Sequence, residues 1–385
     1  MSDTDRPGSV PLLDQAQSRL GLMLADIQQL IEVETPSRDL DAVARGAVAV
    51  ADIVEARLGN RPEVLTVQGC THLRLKFGSG PPRVVLLCHQ DTVWPRGSLQ
   101  RLPFSMQDGV LRGPGSFDML TGLVMAVHAA GLLRDSAGEA ALDGVCLLVT
   151  GDEEIGSASS RELILETAAQ ARAVLVLEAS APGGALKVAR KGGGIYSLRI
   201  TGRGAHAGLD PEKGVSALLE LAAQLPAVTG LADPERGTTV TPTAFAGGTT
   251  TNTVPANATV AIDTRAATMA ELERVDAGLR SLRPSQPGAE IVLEGGINRP
   301  PLERPMADDL HADYVRVTAE LGRPVPDAVE VGGCSDGNFT AGAGVPTLDG
   351  LGAVGDGAHA DHEHALIAEI APRTAVLAGL VARLL

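Results

Sequence analysis

Apolar residues near the start of the chain recur at helical spacing. Leu20, Met23, Leu24, Ile27, Leu30 and Ile31 fall on one face and predict a helix over residues 12–34, ended by Thr35-Pro36-Ser37. A second helix is predicted over about 40–58. The pattern then switches to short apolar runs. Residues 72–77 read as a strand before the Gly78–Pro82 turn. Val84–Cys88 is unbroken by polar residues, as in a strand buried on both faces. Val145–Val149 and Val174–Leu177 have the same character. Between these runs the pattern predicts a long helix opening at Asp118 and reaching Leu133, and another near 159–171. Such alternation predicts an α/β fold whose sheet is mostly parallel.

The rhythm changes near residue 190. Ile195–Thr201 reads as a strand, 213–225 as a helix, 238–246 and 258–265 as strands, 268–283 as a helix and 289–294 as a strand. That order, β-α-β-β-α-β, is the ferredoxin-like pattern. Pro300-Pro301 closes it. A helix at about 307–321, a glycine-rich loop at Gly332-Gly333, a strand near 346–351 and a last helix from about 365 complete the chain. We therefore expect one α/β domain split in sequence, residues 1–189 and 302–385, carrying an inserted α+β domain at 190–301. A length of 385 residues, too great for one ordinary core, agrees with two domains.

Composition narrows the function classes. A net charge of -15 excludes a binder of phosphate backbones, which needs clustered Lys and Arg, so no nucleic-acid partner is expected. Aromatics at 2% leave few stacking surfaces for bases or sugars. Cys70, Cys88, Cys146 and Cys334 show no CxxC spacing, and Cys88 and Cys146 sit in apolar strands as small hydrophobes. Met1-Ser2-Asp3-Thr4-Asp5 carries no basic stretch followed by an apolar one, and no apolar run of 18 residues is read. The expectation is a cytoplasmic protein with no membrane partner.

Open α/β sheets hold ligands beyond the carboxyl ends of their strands. His89, Glu154 and Glu178 each follow a buried run, and His359 follows the glycine-rich turn after the last strand. Asp118 comes after Gly113-Pro114-Gly115-Ser116-Phe117, where a carboxylate could bridge two cations. Zinc accepts imidazole nitrogen and carboxylate oxygen at roughly 2.0–2.2 Å. Two such ions about 3.5–4 Å apart can clamp a water and polarise a carbonyl. Asp91, two residues after His89, is placed to hold the far nitrogen of the ring. Glu153 need not bind metal and can move a proton from water to a leaving amine. Singly these signals are weak: an HxD is common, an Asp-Glu-Glu run is usually a solvated loop, and His362 and His364 compete with His359. The joint pattern at four strand ends carries the reading, since a charge near a core is costly unless paired or coordinated.

Four segments together resemble the co-catalytic zinc metallopeptidases: His89-Gln90-Asp91-Thr92-Val93, Gly113–Met119, Thr150-Gly151-Asp152-Glu153-Glu154-Ile155-Gly156-Ser157 and Gly202-Arg203-Gly204-Ala205-His206-Ala207-Gly208. That superfamily includes glutamate carboxypeptidases of the carboxypeptidase G type, aminoacylases, acetylornithine deacetylases and succinyl-diaminopimelate desuccinylases. The resemblance runs from about residue 20 to the end. It implies two zinc ions, with cobalt or manganese also fitting. His89 and Glu178 would serve one ion, Glu154 and His359 the other, and Asp118 would bridge. It prefers His359 because Gly357-Ala358-His359-Ala360 followed by Glu363 matches the last family motif. It implies Glu153 as general base and a cis peptide between Asp118 and Met119. The insert resembles the family's dimerisation domain, so a homodimer is implied, with His206 reaching the partner subunit's site to stabilise an oxyanion. Asn252 and Arg265 match positions that hold the substrate near its free carboxylate. Gly332-Gly333-Cys334-Ser335-Asp336 resembles the loop that closes on the substrate's terminal group through backbone amides and a hydroxyl, which brings in Gly333 and Ser335; Cys334 reads as a small spacer. The implied activity releases a C-terminal amino acid, glutamate-like by preference, from a small peptide or N-acyl amino acid. The alternative is a biosynthetic N-acyl deacylase of the acetylornithine or desuccinylase type.

Overall fold

The computed structural model describes residues 9–385. Met1–Asp5, read above for a leader, lies outside the described residues. The chain divides into two compact units. One holds the described residues up to Ala189 with Arg304–Glu330 and Ser335–Leu385; the other holds Arg190–Glu303 and Val331–Cys334.

In the first unit the apolar runs become strands buried along their whole length, Val84–His89 and Val145–Thr150. They pair in parallel, Cys88 opposite Val149 and His89 opposite Thr150. The six-stranded sheet runs Glu63–Val67, Cys70–Lys76, Val145–Thr150, Val84–His89, Ala173–Val176 and Thr347–Leu348. The last four are mutually parallel, and the first two are added antiparallel at one edge. The helix Leu40–Leu58 begins where the Asp39 carboxylate accepts from the Ala42 amide and ends at Gly59, whose φ of 75° suits glycine.

The helix Thr121–Ala137 packs tightly on the sheet: a Cβ at Gly122 would lie 2.0 Å from the Leu177 carbonyl oxygen. It opens later than the apolar pattern suggested. Asp118 is not its first residue but sits in the irregular turn Ser116–Leu120 with non-helical φ and ψ of -117° and 98°. The run Ser116–Ala137 also corrects the reading that no apolar span exists. It is long and apolar enough to cross a membrane, yet 94% of its most apolar window is buried within the fold, as in a core helix. The opening helix is likewise divided, into Ser9–Ser18 and Leu20–Ile31, at Arg19, which turns to pair with Asp135.

A second small sheet was not legible in the sequence. Gly355–Asp356, His364–Leu366, Val110–Arg112 and Ser105–Gln107 pair antiparallel in that order. Strands of two or three residues carry too little apolar pattern to be seen.

The second unit is an antiparallel sheet in the order Thr239–Gly247, Asn257–Ala266, Gly192–Thr201, Glu290–Arg299. With helices Ala217–Thr229 and Met269–Arg280 it has the β-α-β-β-α-β order expected. Tyr196, Leu198 and Ile200 alternate into its core against Leu221, Val228, Val275 and Leu279 from the helices.

Candidate metal centre

The parallel strands deliver their chemistry at one end. His89 is the last residue of its strand and is buried. Glu153 and Glu154 form a single 3-10 turn, Glu153–Ile155, just past Val145–Thr150. Glu178, also buried, follows Ala173–Val176 by two residues. Asp118 lies in the turn before the core helix. His359 stands in the turn between the short strands Gly355–Asp356 and His364–Leu366, with a left-handed φ of 63°.

Asp118 faces both imidazoles. Its Oδ1 is 3.3 Å from His89 Nε2, and its Oδ2 is 3.4 Å from His359 Nε2. Glu178 Oε1 is 3.4 Å from His89 Nε2, and Glu154 Oε2 is 3.2 Å from His359 Nε2. Ligand atoms of His89, Asp118 and Glu154 lie within 4.8 Å of one another, as do those of His89, Glu153 and Glu178. The five side chains fall into two groups that share Asp118: His89 with Glu178, and His359 with Glu154. The peptide Asp118–Met119 is cis.

The donors fit cations. His89 Nε2, Asp118 Oδ1 and Glu154 Oε1 are buried without a hydrogen-bond partner among the described residues. Buried carboxylates at such close quarters are costly unless a positive charge sits among them. Burial disfavours a charged His89, but Asp118, Asp91 and Glu178 outweigh it and hold the ring well above its ordinary pKa. His359 is pushed up to about 10 by Asp118 and Glu154. Burial, and the nearby Asp118 charge, push Glu154 up. Imidazole nitrogen with carboxylate oxygen suits zinc, cobalt or manganese.

The surrounding groups hold this arrangement. Asp91 does so differently from expectation. The far nitrogen of His89, Nδ1, is 3.0 Å from the Asp91 backbone carbonyl and 3.6 Å from its carboxylate. The carboxylate instead accepts from the amides of Glu153 and Glu154, both at 3.2 Å. Asp91 therefore ties the histidine strand to the glutamate turn. The same turn is held further along by the buried Asp336, which accepts from Thr150 Oγ1 at 3.1 Å and from Ser157 Oγ.

Glu363 holds the Asp118 turn. It is buried, and its Oε1 accepts from the amides of Phe117 at 2.9 Å and Asp118 at 3.0 Å. Its Oε2 accepts from the Gly115 amide at 3.0 Å and Trp94 Nε1 at 2.6 Å. The sequence showed Glu363 only as part of a motif; an acid just before the apolar Ala365-Leu366-Ile367 run was the available signal for a buried role. Asp336 carried no such signal.

The remaining predicted residues are placed as follows. In the second unit His206 is exposed, and its Nδ1 accepts from the amides of Gly208 and Leu209 at 3.1 and 3.0 Å. With Nδ1 accepting, the ring hydrogen is carried on Nε2. Asn252 is exposed, and its carbonyl accepts from the Ala207 amide at 2.8 Å, bringing it beside the His206 loop. Arg265 forks onto Asp263 at 3.0 and 2.9 Å and touches Cys334 Sγ through Nη1 at 3.0 Å. The Gly333 carbonyl accepts from Arg190 Nη1 at 3.2 Å. Ser335, in the first unit, is fully buried. Its hydroxyl donates to Asp349 Oδ2 at 2.6 Å and accepts from the Gly337 amide at 3.1 Å, so its hydrogen bonds are made inside the fold.

The profile of Peptidase family M20/M25/M40 matches residues 85–383. Carboxypeptidase G2 of Pseudomonas sp. (strain RS-16) is 29% identical over 388 residues, covering 96% of this chain and 90% of its own. A succinyl-diaminopimelate desuccinylase of Methylorubrum populi is 29% identical over 334 residues, covering 81% and 85%. In fold, the chain is similar to the aminopeptidase PepT of Bacillus cereus, with a TM-score of 0.71 and 22% identity over 95% of this chain and 98% of that one.

Proposed function

Because the chain belongs to peptidase family M20/M25/M40 and is a metallo-hydrolase of that family, we propose that it is a dizinc amidohydrolase that releases a C-terminal amino acid, glutamate-like by preference, from a small peptide or N-acyl amino acid. The observation that carries the reading is the Asp118 carboxylate facing two imidazoles, each with its own glutamate. Likeness to carboxypeptidase G2 over most of both chains supports the carboxypeptidase form. Comparable identity to a desuccinylase supports the biosynthetic deacylase as a second reading.

In this proposal His89, Glu178, Asp118, Glu154 and His359 hold the two cations. Bound there, the ions would polarise the scissile carbonyl and lower the pKa of water. Glu153 takes a proton from the attacking water and returns it to the departing amine. Its backbone is fixed by Asp91, so the carboxylate need not search for its position. His206 of a second copy would offer its Nε2 proton to the developing oxyanion, the role across the dimer that the resemblance implies. Arg265 and Asn252 would receive the substrate's free carboxylate, Arg265 exchanging the Asp263 carboxylate it now forks onto for that of the substrate.

We place this activity in a cytoplasmic homodimer. The strand Thr239–Gly247 is a sheet edge with Phe245 80% exposed, and Leu219 on the neighbouring helix is 67% exposed. An unprotected edge beside apolar side chains favours pairing with a second copy.

The test is an activity screen of metal-depleted protein reloaded with zinc, cobalt or manganese, over N-acyl amino acids and dipeptides ending in glutamate, aspartate or a neutral residue. Cleavage confined to N-succinyl or N-acetyl diamino acids would replace the carboxypeptidase reading with the deacylase one. No cleavage with any metal would remove both.

A further inference from the structure

Behind the Glu153–Glu154 turn lies a buried polar chain that the proposed chemistry does not use. His72 is fully buried in the strand Cys70–Lys76. Its Nδ1 accepts from the Gly151 amide at 3.2 Å, so the ring proton sits on Nε2. That nitrogen is 3.1 Å from Ser159 Oγ, and Ser159 Oγ in turn donates to Asp152 Oδ2 at 2.7 Å. Asp152 Oδ2 also accepts from the Ser159 amide at 2.7 Å. Burial lowers the His72 pKa, in keeping with a neutral ring.

Two other readings of the cluster fail. In a Ser-His-Asp triad the histidine lies between the other two and takes the serine proton. Here the serine lies between, gives its proton to the aspartate, and is closed off from solvent. Cys70, His72 and Asp152 also have ligand atoms within 4.8 Å of one another, as a metal would need. Both nitrogens of His72, however, are already engaged: Nδ1 accepts from the Gly151 amide and Nε2 carries the ring hydrogen toward Ser159, so neither offers a lone pair to an ion.

The cluster acts on the peptide that precedes Glu153. His72 holds the Gly151 N–H, and Asp152 is held by Ser159 from beyond the turn. The approach is close: a Cβ at Gly151 would be 2.6 Å from the Thr71 carbonyl oxygen. We propose that His72 and Ser159 are positioning residues, fixing the Gly151–Asp152 backbone so that the Glu153 carboxylate stands where it exchanges protons with water and leaving amine. The proposal rests on Glu153 being the general base. Asp91 holds the amides of both glutamates and Asp336 holds Thr150 and Ser157, so the turn stays folded when the cluster is cut; Glu154 keeps its place because its carboxylate is besides engaged by His359 at 3.2 Å.

The test compares Ser159→Ala, His72→Ala, Ser159→Thr and Glu153→Gln, each reloaded with zinc. It uses the best substrate of the N-acyl and dipeptide screen, and records zinc content, Tm and hydrogen exchange in the 148–160 segment. The expected result is a fall in kcat of about tenfold or more for Ser159→Ala and His72→Ala, as small misplacements of a catalytic group produce. KM and zinc content stay within about twofold, exchange in the segment quickens, and Ser159→Thr, which keeps the hydroxyl, recovers most of the rate. A kcat equal to the parent in folded, zinc-loaded Ser159→Ala overturns the proposal, whatever the change in Tm. So does a loss of zinc in proportion to the loss of rate. If His72→Ala fails to fold, Ser159→Ala and Ser159→Thr decide alone. Retained turnover in Glu153→Gln would instead remove the general-base reading beneath the proposal, a result separable from the others.

Discussion

Glu363→Gln is the sharpest single perturbation of this site. The carboxylate accepts four hydrogen bonds, two on each oxygen, from Phe117, Asp118, Gly115 and Trp94. Glutamine has the same shape but only one acceptor end. Whichever way the amide is turned, its NH2 meets two buried donors that had been satisfied. Hydrogen bonds to a charged group contribute about 1.5–3 kcal/mol each, so losing two costs about 3–6 kcal/mol. That is a large part of the 5–15 kcal/mol that typically separates folded from unfolded states. The loss falls on the turn that aims Asp118 at both imidazoles, so metal binding weakens along with stability. Urea unfolding followed by circular dichroism gives the first quantity, and zinc titration of the metal-free protein gives the second. If Glu363→Gln keeps both the unfolding midpoint and the zinc affinity of the parent, the four contacts do not hold the turn and the reasoning is wrong.

Glu153→Gln should retain both metals by elemental analysis yet lose roughly 10²–10⁴-fold in turnover, the usual worth of a positioned acid–base group; a rate near the parent's excludes the proton role. Removing metal with a chelator should abolish activity and lower Tm, and zinc at about 100 times its Kd should restore about 2.7 kcal/mol of stability for each site filled; an unchanged Tm would mean the five candidate ligands bind no ion tightly. Asp26 supplies a pH test away from the site. Burial pushes its carboxyl up, but hydrogen bonds from Arg57 and His128 prevail and hold it below its ordinary 3.8. A depressed folded pKa contributes stability above the ordinary carboxylate range and loses it as pH falls through the folded value. The stability gap between parent and Asp26→Asn should therefore shrink from about pH 6 to about pH 3, and a gap that stays constant would refute the assignment. If the proposed homodimer pairs through the Thr239–Gly247 edge, Phe245→Lys should lower the mass read by light scattering from two copies to one; a parent that is already one copy would remove the dimer, and a two-copy mass unaffected by the change would move the interface elsewhere.

The amino-acid pattern alone determined the layers. Val84–Cys88 and Val145–Val149 are apolar at every position and too short for a core helix, which is how a strand covered on both faces reads, so the central sheet and the end where the candidate ligands stand were legible. The alternation in Tyr196, Leu198 and Ile200 did the same for the second unit. His89 at the end of one strand, and Glu154 and Glu178 shortly past two others, stood out as candidates because a charge next to a buried run needs a reason. What tertiary structure decided was which polar atoms meet. Glu363 lies more than two hundred residues along the chain from the amides it holds, Asp91 gives its carbonyl to His89 and its carboxylate to Glu153 and Glu154, and Ser335 turns its hydroxyl inward to Asp349. Burial leaves a periodic trace in sequence because it acts on every residue of an element. A hydrogen bond between distant segments acts on two atoms once, leaves no period, and exists only when the fold has brought them within about 3 Å.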